Sequence, residues 1–346
     1  MGMGLDLYYV EDCGFSGYER CTLSIGYGGF SVRNSSSTVI LATCFIILTA
    51  FCQAAAQEPL LVTVTIPPQK YFVEKIGGSS VAVSVMVPSG ANMHNYEPKP
   101  QQMVALAKSK IYFAVGAPLE RVWLGKIVSA NPDIYLVHTE DGVEKIPMAS
   151  HHHNDGSDQN STHEHGHSLA DAELPHTACE EVSGILDPHI WLAPHLVMIQ
   201  ARNILTALCT IDPAHRDQYE GNYKNFIMEL VDLDLDIKNV FAGKGNNIRF
   251  MVFHPAWGYF ARAYGLEQLP IEIEGKEPKP ADIQRLIEEA EKHEVKVIFV
   301  QPQLSAKAAE TIAAAIGGQI TSADPLASDW ANNLRRVAQS FRSALK

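Results

Sequence analysis

From Leu60 onward, short apolar runs alternate with segments whose apolar residues recur at helical spacing: LLVTVTI, PPQKYFVEKIGG, VAVSVMVP, KPQQMVALAKSK and IYFAVG. Strands of this length interleaved with helices imply parallel βαβ units. The rhythm returns after residue 247 as RFMVFH, PAWGYFARAYG, LPIEI, PADIQRLIEEAEKH, VKVIFVQ, SAKAAETIAAAIGG and QITSAD. The pattern therefore predicts an α/β protein of two βα lobes with parallel sheets, at 58–212 and 243–346. Between them, residues 213–242 read as one unbroken helix, with Asp212 as N-cap, Pro213 at the first helical position and Gly243 as the stop. Roughly 30 residues at 1.5 Å rise give a rod of about 43 Å, long enough to cross both lobes. A rigid connector of this kind predicts small lobe motion on ligand binding.

The chain before the first lobe, residues 1–57, has another character. Thr38 to Cys52 is an uncharged apolar run of signal-peptide length, short for a bilayer span, and Ala54 and Ala56 form an A-x-A cleavage site. The expected mature chain begins near Gln57, with translation starting near Val32 and the upstream stretch a gene-model artefact. Of six cysteines, Cys13, Cys21, Cys44 and Cys52 precede Gln57, leaving Cys179 and Cys209. Export permits a disulfide between them, and spacing does not decide it. The net charge of -12, without a dense basic patch, excludes nucleic acid as a partner.

Three histidines stand where a strand or extended run gives way to a turn: His94 in GANMHNYEP, His189 in ILDPHIW and His254 in FMVFHPAW. Ligands of open parallel sheets lie outside the carboxyl ends of the strands. Three imidazoles and one oxygen make a tetrahedral zinc shell, and Asp324, after the strand QITS, is the candidate fourth donor. One ion would then be held in the cleft between the lobes. His138 also ends a strand but is surplus to that set. His195 falls in the first turn of a helix opened by Pro194, and His176, His215 and His293 read as surface residues. Tyr96, Trp191, Trp257 and Tyr259 flank the ligand motifs and are expected to wall the pocket. The tract from Ala149 to Ser183 is a polar loop carrying His151, His152, His153, His163, His165 and His167. Those six either gather metal weakly for the deeper site or form a solvated loop with no such task.

Several segments, in order, resemble the metal-specific solute-binding proteins of bacterial ABC importers, in particular their zinc-uptake branch: TIPPQKYFVEKIGG, VMVPSGANMHNYEPKPQQM, DPHIWLAPH, YEGNYKNF, FHPAWGYFARAYGL, IFVQPQLSAK and ADPLASDW. The resemblance covers nearly all of Glu58 to Lys346. It implies His94, His189 and His254 as ligands, with Asp324 completing the shell in some members. It also implies a periplasmic monomer that captures Zn2+ and delivers it to a membrane permease driven by a cytoplasmic ATPase. A histidine at 254 fits the zinc branch, since manganese-selective relatives tend to carry a carboxylate there, and so does the histidine-rich insertion. Ala193 departs from the acidic residue common at that place. The cysteine pair also departs, because the disulfide of some zinc-binding relatives lies in the second lobe. The alternatives are a manganese- or iron-binding homologue, a metal-dependent adhesin, and a zinc hydrolase. The last lacks a credible general base beside the ligands, and no HExxH occurs.

Overall fold

The computed structural model describes residues 58–93, 95–149, 185–243, 248–273 and 275–344, all within the compact unit Gln57–Lys346. The first lobe is built from β1 (Leu60–Val64), α1 (Pro67–Gly77), β2 (Val81–Val85), α2 (Pro100–Lys108), β3 (Ile111–Ala114), α3 (Pro118–Ala130), β4 (Tyr135–His138) and α4 (Pro194–Ile211). Among the described residues five α-helices open on proline, at Pro67, Pro100, Pro118, Pro194 and Pro280. At that position the ring presets a helical φ, and the missing N–H has no intrahelical acceptor in any case. Side chains three residues in complete several of these starts. Gln102 Oε1 accepts from Lys99 N at 2.8 Å, and Asp282 Oδ2 accepts from Lys279 N at 3.0 Å.

After α5 (Arg216–Phe241), the second lobe comprises β5 (Ile248–Val252), α6 (Gly258–Tyr264), β6 (Leu266–Pro270), α7 (Pro280–Lys292), β7 (Val297–Val300), α8 (Lys307–Ala315), β8 (Gln319–Ser322) and α9 (Trp330–Ala344). Both sheets are wholly parallel and share one strand order, β2-β1-β3-β4 and β6-β5-β7-β8. The two-lobed α/β architecture expected from the periodicity is what forms. Strand order reverses beside β1 and beside β5, which opens a crevice at the carboxyl end of each sheet.

Pro213–His215 form a short 3₁₀ turn, and the α-helix proper starts at Arg216, three residues later than the sequence pattern suggests. Asp212 does not cap the helix because its Oδ2 is taken by His215 Nδ1 and by the Tyr219 hydroxyl, each at 2.7 Å. At the other end Gly243 takes a φ of 74°, a left-handed backbone that suits glycine. Along α5, Tyr219, Phe226, Leu230, Leu233 and Ile237 are buried at helical spacing. The helix packs on α4 and α1 from the first lobe and on α9 from the end of the chain. One large apolar core therefore runs through both lobes, joining Val62, Phe72 and Phe113 to Phe250, Trp257 and Phe341. A smaller core lies on the second sheet under α7 and α8, around Met251, Ile271, Leu286 and Ile312.

Two tryptophans fasten the lobes. Trp330 Nε1 donates to the Trp191 carbonyl at 2.8 Å, and Trp191 Nε1 donates to the Pro325 carbonyl at 2.7 Å, with both rings almost wholly buried. W330F keeps the aromatic packing but strands a buried carbonyl, which costs about 1–3 kcal/mol. Urea unfolding of W330F should show a loss in that range, and a midpoint equal to that of the parent would remove this contact from the account.

A candidate metal centre between the lobes

His254 lies two residues beyond β5, at the switch point of the second sheet. His189 has a different setting from the strand end expected of it. Leu186 makes only an isolated antiparallel bridge with Pro147, and His189 itself precedes the 3₁₀ turn Ile190–Leu192. The Asp-Pro sequence before His189 supplies the turn that a strand would otherwise have to supply. Both imidazoles are buried, and their ring centroids are 5.2 Å apart.

Each ring is oriented by a buried carboxylate. His189 Nδ1 lies 2.7 Å from Asp187 Oδ1, and His254 Nδ1 lies 2.7 Å from Glu272 Oε1. A carboxylate only accepts, so Nδ1 carries the proton and the lone pair sits on Nε2. This carboxylate–imidazole pairing is what metal-ligating histidines use to fix their tautomer and ring angle. Asp187 also accepts from the His189 backbone N–H at 2.9 Å, which locks the pair into one rigid turn. Burial pulls the His189 imidazole below its ordinary pKa, against the opposing pull of Asp187. It thus favours the neutral ring that a metal requires.

The two histidines share a small cavity of about 10 Å³, also lined by Asn92, Met93, Gln301, Gln303 and Leu326. That space holds roughly one water-sized sphere. His94 lies outside the described residues, as do the six histidines of the 151–167 tract, His176 and Cys179. The two residues before His94 nevertheless line the cavity. Among the described residues no group of three or more His, Cys, Asp or Glu is gathered as a metal shell. Asp324 Oδ1 accepts from Gln303 Nε2 at 2.8 Å and from Leu326 N at 2.9 Å. A wider space of about 260 Å³, lined by Asn92, His254, Glu272, Lys276 and Glu277, adjoins the site.

Of the aromatic residues expected to wall the cavity, Trp191 sets its ring against the His189 imidazole, with centroids 5.2 Å apart. Trp191 fastens the lobes, Trp257 packs on Phe260 and Phe341, and the Tyr96 hydroxyl donates to Gln102. The Tyr259 hydroxyl donates to the Asp187 carbonyl at 2.9 Å and so supports the turn that holds His189. His138 Nδ1 faces Glu140, His215 faces Asp212, and His293 contacts Arg249. Cys209 is a buried free thiol.

Asp187 and Glu272 escaped the reading of the sequence. Asp187 was accessible, standing two residues before His189 in DPH. Glu272 was harder to find, because it lies two residues beyond β6, the strand paired with β5, and meets His254 only through the sheet. Gly258 is a further hidden requirement. A Cβ there would lie 2.7 Å from Asp187 Oδ2 and 3.1 Å from Gln268 Nε2. G258A should displace the carboxylate that aims His189 and weaken zinc binding about tenfold, the lower range for loss of an outer partner of a ligand. A chelator-competition titration reading the parent's affinity in G258A would show that Asp187 does not set the ring.

The family model for the zinc-uptake complex component A, periplasmic, matches residues 62–344. The high-affinity zinc uptake system protein ZnuA of Bacillus subtilis (strain 168) is 27% identical over 295 residues, covering 82% of this chain and 86% of its own. A crystal structure of a ZnuA superposes with a TM-score of 0.72 at 38% identity, covering 84% of this chain and all of that one. A deletion mutant of ZnuA with zinc bound superposes with a TM-score of 0.71, also at 38% identity, covering 84% of this chain and 99% of its own. With two like-ordered parallel sheets and a carboxylate-locked histidine pair between them, this chain belongs to the periplasmic zinc-uptake component A family of solute-binding proteins.

Proposed function

We propose that this protein captures a zinc ion on His94, His189 and His254 in the interlobe cleft and delivers it to an ABC permease for uptake. The observation that carries the reading is the pair of buried imidazoles, each held by a carboxylate at Nδ1, with the residues adjoining His94 at the same cavity. Binding is its task and no bond of a substrate is broken, in keeping with its family. The solved ZnuA with zinc bound supports zinc as the cargo here. So does ligand type, since three imidazoles favour zinc over manganese, which prefers oxygen-rich shells of higher coordination number. The periplasm is the site of capture, as for the family. A leader ending near Gln57 and a monomeric state complete the proposal. The tract with His151, His152, His153, His163, His165 and His167 acts as a weak outer collector. No helix among the described residues is long and apolar enough to cross a membrane.

Competitive titration at pH above 7, where free imidazole is neutral, tests the ligand set. H94A, H189A and H254A should each lose at least tenfold in zinc affinity. Deleting residues 151–167 should remove weak sites and leave one tight one. Variants that all titrate like the parent would displace the site, and a parent that holds manganese as tightly as zinc would overturn the choice of cargo.

A further inference from the structure

Two polar atoms at the cavity have no hydrogen-bond partner among the described residues although they are buried: Gln303 Oε1 and Gln301 Nε2. Both side chains line the same small cavity as His189 and His254. Buried polar atoms without partners are uncommon, and each calls for a ligand or a water. The orientation of the Gln303 amide follows from chemistry. Asp324 Oδ1 can only accept, so the amide branch 2.8 Å from it is the NH2 group, and Oε1 is the branch turned away. Asp324 is itself steadied by the Leu326 N–H on Oδ1, while its backbone carbonyl accepts from Asn333 Nδ2 at 2.6 Å. The segment after β8 thus holds one amide oxygen in a fixed direction.

We infer that Gln303 seats the exchangeable fourth ligand of the bound ion: its Oε1 accepts a hydrogen bond from a metal-bound water, and Gln301 Nε2 donates one to the same oxygen. Asp324 is then a positioning residue that acts through the Gln303 amide, in place of the direct ligand suggested by its strand-end position. A neutral acceptor suits the task. It orients the water without adding a carboxylate to the shell, so the shell keeps the nitrogen-rich character that disfavours manganese. The inference rests on the histidine site proposed above.

The test compares Q303M, which keeps volume but removes both amide atoms, with D324A, using zinc competition titrations and the visible spectrum of the cobalt(II)-loaded protein. Q303M should bind zinc about tenfold more weakly, as loss of an outer partner does, and shift the cobalt bands. D324A should show a smaller change of the same kind. Melting of the metal-free protein monitors folding, and Q303A tests the same oxygen if Q303M unfolds. Parent-like zinc affinity and cobalt bands in the glutamine variant would overturn the inference, and so would a D324A loss larger than that of Q303M, which would make Asp324 a ligand. A parent that fails to bind zinc would instead defeat the histidine site itself.

Discussion

Two buried imidazoles each donate Nδ1–H to a buried carboxylate, and the proposed metal site depends on that doubled pairing. Burying a carboxylate away from water is costly unless it is hydrogen-bonded and its charge is met. Asp187 Oδ1 is met by the His189 ring and backbone N–H, and Glu272 by the His254 ring, while Asp187 Oδ2 is buried with no hydrogen-bond partner among the described residues. A carboxylate stands behind each imidazole, and a cation at Nε2 would be attracted by both. The polar partners that hold the rings in place therefore also make the centre receptive to a doubly charged ion. Acidification acts against this arrangement, because protonated imidazoles cannot bind metal.

The scaffold around the centre is arranged to keep the two halves of the site in register. His189 belongs to the first lobe and His254 to the second, so their 5.2 Å ring separation is an interlobe distance. It is maintained by a core that runs through both lobes, by α5 packed against helices of each, and by the bonds from Trp330 to the Trp191 carbonyl and from Trp191 to the Pro325 carbonyl. A site clamped in this way is preorganised, with little ordering left to be done when the ion arrives.

Much of this was legible in the chain because it is written in local patterns. Parallel strands read as continuous apolar runs, prolines mark helix starts, and β5 leads straight to His254. The failures share a cause, which is that tertiary partners override local signals. Asp212 looked like an N-cap until His215 and Tyr219 claimed its carboxylate. Trp257 looked like a pocket wall because it neighbours a ligand in sequence, but it turns into the core, while Trp191 is buried with its ring against His189. Asp324 Oδ1 is engaged by Gln303, which comes from the loop after another strand and could not be foreseen from either segment alone. Glu272 and Gln303 carry no local signal for their roles, since each meets its partner across paired strands of the second sheet.

The central claim is that zinc is bound through imidazole Nε2 atoms in the interlobe cleft. X-ray absorption at the zinc edge, on protein loaded with one equivalent, reads the shell directly. The account predicts three imidazole nitrogens at about 2.0–2.1 Å and one light oxygen. A shell dominated by carboxylate oxygens, or one unchanged when His189 and His254 are both replaced by alanine, would contradict it.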